Sequence, residues 1–254
     1  MSEILTKGLF GVLFLDNAEA SSTGMLALYV ALACVLPAVI GYLLGSVNTA
    51  VLISRAFYRE DIRTKGSGNA GMTNMMRTYG RGAAAATLIG DMLKTAISVG
   101  IGALLAAEAG MYIAGLFSVI GHIFPVFFGF KGGKGVASTA ALVLCTEPVA
   151  FFILIFIFIC IVAATKFLSL GSIMTVMMYP LILNRVYMLI RDPAGVPFIP
   201  TMVSFAVMVL IVAKHRDNIR RLMKGEESKF TIKKSVKVPK TEESTETTAS
   251  GDEE

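Results

Sequence analysis

Apolar residues run in long continuous stretches along this chain, without the alternation of half-buried strands or the one-sided stripes of soluble helices. Seven such runs occupy roughly 24–46, 82–107, 111–128, 135–147, 149–164, 170–190 and 197–213. About 20 apolar residues of helix cross a hydrocarbon core. Runs without alternating polar positions favour helices over a membrane barrel. The expected fold class is therefore an all-α polytopic membrane protein with about seven transmembrane helices. The fourth and fifth runs are short and share the Glu147-Pro148 break, which predicts tilted or re-entrant segments there.

Polar residues gather between the runs, and their charge sets an orientation. Arg55, Arg59, Arg63, Lys65, Arg77 and Arg81 lie between the first two runs. Lys131 and Lys134 follow the third run, Lys166 the fifth, and ten cations lie from Lys214 onward. Nineteen of the twenty-three lysines and arginines thus fall on one side, against Lys7, Arg185 and Arg191 on the other and Lys94 within a run. The positive-inside rule then places the N-terminus outside and the C-terminus in the cytoplasm, as an odd number of spans requires.

Composition sharpens the class. Of 254 residues 55% are hydrophobic and 16% charged, with a mean hydropathy of +0.70, which excludes an ordinary soluble domain. The net charge of +5 comes mostly from the cytoplasmic excess, and no basic soluble module for nucleic acid is visible. Cys34, Cys145 and Cys160 show no metal-ligand spacing and read as small buried hydrophobes, so no metal is expected. Three segments are expected: an extension at 1–23, a membrane domain at 24–227 and a charged, disordered tail at 228–254. Within the extension, Gly8–Leu15 and Asp16-Asn-Ala-Glu-Ala20 only faintly resemble a signal peptide, and the segment reads as an interfacial or loose extension.

The loops carry the candidate chemistry. Gly129-Phe-Lys-Gly-Gly-Lys-Gly-Val136 interrupts apolar sequence with four glycines and two lysines. Glycines expose backbone N–H groups and lysines add charge, which suits a bound phosphate. It is not a Walker A loop, because Gly135 stands where Ser or Thr would follow the lysine. An earlier loop, Lys65–Arg77, formally contains G-x-G-x-x-G at Gly66, Gly68 and Gly71, but no strand precedes it and a dinucleotide fold fails. Its glycines still admit an anion, Ser67, Asn69, Thr73 and Asn74 supply donors, and Arg77 offers a planar fork. A third cluster, Lys214–Glu227, holds His215 and Asn218 three apart on one helical face. A smaller patch, Thr165–Ser172, lies on the same side. The topology brings all four to one membrane surface. Asp91 and Lys94, at i and i+3 inside the second run, read as a self-neutralising structural pair, and His122 as a hydrogen-bonded structural histidine.

In order and in register, three of these stretches resemble the signature motifs of the bacterial acyl-phosphate:glycerol-3-phosphate acyltransferases (PlsY). They are Gly66–Arg77, Gly121–Ala137 and His215–Glu227, and the resemblance covers roughly residues 30–227. It departs at Met72, where alanine is expected, and at Ser138, where threonine is expected; neither change removes a charged group. The resemblance implies transfer of a fatty acyl group from acyl phosphate to the sn-1 hydroxyl of glycerol 3-phosphate, yielding lysophosphatidic acid and phosphate. It implies a seven-helix enzyme of the bacterial cytoplasmic membrane with its site on the cytoplasmic face. Carried over by motif, Ser67, Arg77, Lys134 and His215 are the expected catalytic residues. Gly68, Asn69, Thr73, Asn74, Gly132, Gly133, Ser169, Ser172 and Asn218 are the expected substrate-binding residues. An acyl phosphate is already an activated mixed anhydride, so no enzyme nucleophile, metal or cofactor is implied. The expected partners are the two substrates and membrane lipid, with no protein partner required.

Two rivals use the same loops. A transporter of a phosphorylated metabolite needs polar residues along a path through the membrane, and Asp91 and Lys94 are the only obvious charges at depth. An acyl-CoA-dependent acyltransferase needs His-x4-Asp, but Phe127 and Arg220 stand at that spacing from His122 and His215.

Overall fold

The computed structural model describes residues 7–12, 23–193 and 195–230, all helical or connecting. Most of the expected extension and the tail beyond residue 230 lie outside the described residues. In chain order the helices are α1 (Thr23–Gly45), α2 (Thr49–Tyr58), α3 (Met72–Tyr79), α4 (Arg81–Ile123), α5 (Val136–Thr146), α6 (Pro148–Thr165), α7 (Leu168–Ile190), α8 (Phe198–Lys214) and α9 (Arg216–Met223). Each of the seven apolar runs is helical, and two of them are joined. Helix α4 contains a sharp bend at Ala106 and Ala107, whose φ/ψ are −141/35 and 47/−137, dividing it into arms 81–105 and 108–123. Among the described residues, four helices are long and apolar enough to cross a membrane, or five if the bent pair α8–α9 counts as one span. The 11 residues of α5 extend only about 16 Å, roughly half a hydrocarbon core.

Close backbone approach holds the helices together, because lipid supplies no hydrophobic drive between them. A Cβ added to Gly41 or Gly45 of α1 would lie 2.2 Å from the carbonyl of Ala114 or Ser118, so α1 rides directly on the second arm of α4. Within α4, Gly102 and Gly110 face each other across the hairpin just as closely: a Cβ on Gly102 would sit 2.1 Å from the Gly110 oxygen. Val99, Tyr112, Val119, Ile123, Leu142, Val203, Val207 and Ile211 form the central core between α4, α5 and α8. Phe152, Phe156, Ile159, Leu181 and Val209 point outward and remain exposed, as expected of helices solvated by lipid. Cys34 and Cys160 lie exposed and Cys145 is half-buried, which corrects the expectation of three buried thiols. In a lipid-facing helix a small apolar side chain needs no interior.

Helices α2 and α3 fall in what reads from sequence as one long polar loop. Asn48 caps α2 by accepting from the Val51 N–H at 3.0 Å. Beneath the loop, Ala50, Val51, Ile62, Ala70, Met75, Ala83 and Ala84 form a separate small core that fixes its shape.

Candidate active site

The first loop is organised from inside by Asn74, which is buried. Its Oδ1 accepts from the Ser67 N–H at 2.9 Å, and its Nδ2 donates to the carbonyls of Ile62 and Lys65 at 3.1 and 3.0 Å. Gly66, with φ of +56, passes so close that a Cβ would lie 2.3 Å from Asn74 Oδ1. The turn leaves Ser67, Gly68 and Arg77 exposed, with Asn69 and Thr73 half-buried.

Arg63 couples this loop to the second. Its guanidinium donates to Asp61 and, through one nitrogen, to the carbonyls of Phe128 and Lys131 at 2.7 and 3.3 Å. The Arg63 hydrogen bonds hold the Asp61 carboxyl well below the usual carboxylate range. A cavity of about 520 Å³ opens between the two loops, lined by Asp61, Arg63, Thr64, Gly68 and the 128–132 segment.

In the second loop, Gly132 and Gly133 press against His122. A Cβ on Gly132 would lie 2.0 Å from the His122 carbonyl oxygen, and one on Gly133 2.1 Å from His122 Nε2. That packing sets the position of Lys134, whose ammonium donates to Asn218 Oδ1 on α9. Burial pulls the Lys134 pKa down to about 8, opposed by Glu227 and assisted by Arg221 and Arg77. Arg77 therefore lies within electrostatic range of Lys134, and neither has a carboxylate partner among the described residues. At the first turn of α5 the hydroxyls of Ser138 and Thr139 are buried without a hydrogen-bond partner.

The third cluster closes the site. Asn218 Nδ2 donates to Glu227 Oε1 at 2.7 Å, Ser169 Oγ donates to the same oxygen at 2.6 Å, and Arg221 Nε donates to Oε2 at 2.8 Å. Glu227 is thus the hub that joins α9 to the start of α7, and Phe230 N–H donates to the Lys166 carbonyl alongside it. Burial pushes the Glu227 carboxyl up, but the hydrogen bonds from Ser169, Asn218 and Arg221 outweigh it and the net shift is downward. His215 is buried, and its Nδ1 lies 2.8 Å from the Ile211 carbonyl. A carbonyl only accepts, so Nδ1 carries the proton and Nε2 keeps a free lone pair. Burial lowers the His215 pKa to about 4, with the Ile211 contact opposing and the Lys134 charge assisting.

Of the expected site residues, Lys134, Asn218 and Ser169 are joined through Glu227, while Arg77 approaches Lys134 electrostatically. Asn74 instead braces its own loop, and Ser172 Oγ turns back to the Leu168 carbonyl at 2.9 Å. Asp61, Arg63 and Glu227 were not singled out from sequence. Glu227 stands inside the third motif, but its partners lie 6, 9 and 58 positions away, and no local pattern announces them.

Apolar helices that expose their large side chains, crossed by buried cations and glycine loops, define an all-helical integral membrane protein. The chain belongs to the glycerol-3-phosphate acyltransferase family, whose model matches residues 9–225. It is 40% identical over 195 residues to the glycerol-3-phosphate acyltransferase of Syntrophomonas wolfei, covering 77% of this chain and 96% of that one. The Geobacter sulfurreducens glycerol-3-phosphate acyltransferase is 40% identical over 192 residues, with 75% and 94% covered. Among solved structures, the glycerol 3-phosphate form of PlsY, an integral membrane glycerol 3-phosphate acyltransferase, aligns with a TM-score of 0.70 at 31% identity, covering 78% of this chain and 96% of that one. Its lysophosphatidic acid form aligns with a TM-score of 0.68 at 30% identity.

Proposed function

We propose that this protein transfers a fatty acyl group from acyl phosphate to the sn-1 hydroxyl of glycerol 3-phosphate, giving lysophosphatidic acid and inorganic phosphate. Family membership supports the acceptor and product. The donor assignment rests on the site: Lys134 and Arg77, two cations without carboxylate partners, converge beside a glycine loop. Such a site suits two phosphorylated compounds that would otherwise repel each other. That convergence is the observation that carries the reading.

In this mechanism the glycerol hydroxyl oxygen attacks the acyl carbonyl carbon, the carbon–oxygen bond to phosphate breaks, and phosphate leaves. Arg77, Ser67, Gly68, Asn69 and Thr73 receive one substrate phosphate on the first loop, and Asn74 holds that loop in shape. Gly132, Gly133 and Lys134 receive the other, with Lys134 stabilising charge on the leaving group. Ser169, Asn218 and Glu227 fix Lys134, and Ser172 supports Ser169 from the next helical turn. The free lone pair on His215 Nε2 orients the attacking hydroxyl. A histidine with a pKa of about 4 is a weaker base than a phosphate monoester, whose second pKa is about 6. A phosphate oxygen is therefore the proton acceptor in this scheme.

The seven helical runs are assigned as seven segments of one membrane domain, with the N-terminus outside and the C-terminus in the cytoplasm. The lysine and arginine excess supports that orientation and a cytoplasmic-face site in the bacterial cytoplasmic membrane. The transporter reading weakens, because the charges at depth, Asp91 and Lys94, are buried and pair with each other at 2.9 Å.

The test uses purified protein in lipid, radiolabelled glycerol 3-phosphate, and palmitoyl phosphate or palmitoyl-CoA. Labelled lysophosphatidic acid is expected with the acyl phosphate alone. Product with the CoA donor alone overturns the donor, and no product with either, from folded protein, returns the transporter to first place.

A further inference from the structure

Asp91, Lys94 and His122 read from sequence as a closed pair and a separate histidine, yet the fold makes them one buried cluster. Lys94 Nζ lies 2.9 Å from Asp91 Oδ1, 2.7 Å from the Val47 carbonyl and 3.1 Å from His122 Nδ1. Thr49 Oγ1 also donates to Asp91 Oδ1 at 3.1 Å. All three cluster residues are at most 7% exposed. An ion pair at i and i+3 would satisfy burial by itself; the third contact reaches a residue 28 positions away.

The proton count fixes what that contact does. An ammonium has three N–H donors and no lone pair. His122 Nδ1 lies 3.1 Å from the ammonium and 3.4 Å from Asp91 Oδ1; the shorter contact, to a group that can only donate, assigns Nδ1 as the acceptor and puts the ring proton on Nε2. Nε2 is the edge that meets the glycine loop, since a Cβ on Gly133 would lie 2.1 Å from it. The carbonyl of the same histidine accepts the Gly133 N–H at 3.1 Å. Gly133 is thus gripped by the ring and the backbone of His122, one position before Lys134. Among the described residues, the side-chain hydrogen bond and the ion pair of His122 both run through Nδ1, which leaves the Nε2 edge to the glycine loop.

We propose that Asp91 and Lys94 are positioning residues that hold His122 as its Nε2–H tautomer, and that His122 donates this N–H to the phosphate group received by the glycine loop. The inference rests on the acyltransferase reading for its kinetic test. The ligand chemistry is a phosphate oxygen, carried by either glycerol 3-phosphate or the acyl phosphate, and the two are varied separately.

The chain has two histidines, so nitrogen-15 histidine labelling of the whole protein, with a His215→Asn variant for assignment, reads the His122 tautomer directly. A protonated Nε2 and an accepting Nδ1 are expected, with the Nε2 resonance moving on addition of glycerol 3-phosphate alone or of palmitoyl phosphate alone. Kinetics give the second arm. His122→Gln puts an amide N–H where Nε2 lies, whereas His122→Asn replaces only the Nδ1 edge. His122→Asn is expected to raise KM for one phosphate substrate roughly 10- to 100-fold, the loss of one charge-assisted hydrogen bond, and His122→Gln, which keeps the donor but loses the contact to Lys94, to raise it less. The double variant Asp91→Asn/Lys94→Met removes both charges together and should raise the same KM while redistributing the tautomer. A proton on Nδ1 in the wild-type protein, or equal KM values for the Gln and Asn variants, overturns the proposal. Wild-type protein without lysophosphatidic acid synthesis would sink the acyltransferase reading instead, and the spectrum would still decide the tautomer and the phosphate contact.

Discussion

Adding one methyl group at Gly133 should damage activity far more than its size suggests. An alanine Cβ there would lie 2.1 Å from His122 Nε2 and 2.8 Å from the Ala70 carbonyl oxygen, while ordinary contact begins at 3.4 Å. The gap to His122 must therefore open by 3.4 − 2.1 = 1.3 Å. His122 is 3% exposed and Ala70 fully buried, so neither can retreat and the displacement falls on the second loop. Lys134 is the next residue and moves with it. Overpacking of this kind costs about 1–3 kcal/mol of stability, and a displacement near 1 Å of a charge-stabilising group costs on the order of 100-fold in rate. Gly133 does not occupy the left-handed region, so the effect is steric. The assay is kcat and KM for each substrate, with circular-dichroism melting to confirm folding. Gly100→Ala is the matched control: it faces open space in the first arm of α4 and should gain about 0.5–1 kcal/mol with unchanged kinetics. A folded Gly133→Ala enzyme within tenfold of wild-type kcat/KM would refute the reasoning.

Glu227→Gln should cost about 1–3 kcal/mol in thermal or denaturant unfolding, because an amide NH2 then faces the donors of Ser169, Asn218 or Arg221. With its folded pKa net lowered from 4.5, the Glu227 carboxylate contributes stability that is in place above that value and is lost as pH falls through the folded pKa; the Gln variant should lack this share of acid sensitivity. The kcat/KM profile should fall as pH rises through about 8, where Lys134 loses its proton in the free enzyme, and Lys134→Arg should abolish that limb whatever rate it retains. Gly102→Ala places a Cβ 2.1 Å from the Gly110 oxygen and should lower stability by about 1–3 kcal/mol, read as a drop in melting temperature with KM unaltered.

Hydropathy announced each long helix because lipid imposes one rule on every spanning segment, and the seven runs became helices within a few residues of their expected ends. The bend at Ala106–Ala107 falls where the second run ends at 107, although neither residue is a glycine or proline, and the facing Gly102 and Gly110 let the two arms approach closely. Helices α2 and α3 were hidden because short elements on a small core carry little periodic signal. In the site, residue types were legible and their division of labour was not. Asn74 looks like a substrate donor in sequence, but its amide is consumed by three backbone groups of its own loop. Glu227 looks like one more charge at the end of the third motif and instead accepts from three side chains. Both roles depend on contacts between segments, which no linear pattern encodes.

In the proposed mechanism, the division between paired and unpaired cations separates Lys134, which acts on the substrate, from the buried Lys94, which only supports the site. Lys94 has a carboxylate, a carbonyl and an imidazole around it, so all three of its protons are engaged within the protein. Among the described residues Lys134 donates only to the amide oxygen of Asn218, a neutral acceptor that a phosphate oxygen can replace with gain of charge pairing. Its lowered pKa records burial that the neutral Asn218 amide does not offset. An arriving phosphate supplies the missing charge, which favours the protonated lysine and strengthens the contact. In the proposed reaction, negative charge grows on the departing phosphate as the acyl–oxygen bond breaks, so the attraction is greater in the transition state than in the bound substrate. Glu227 orients Asn218 without pairing Lys134 directly, which leaves the ammonium aligned and available. A carboxylate placed directly on Lys134 would make a more comfortable resting site and a poorer enzyme.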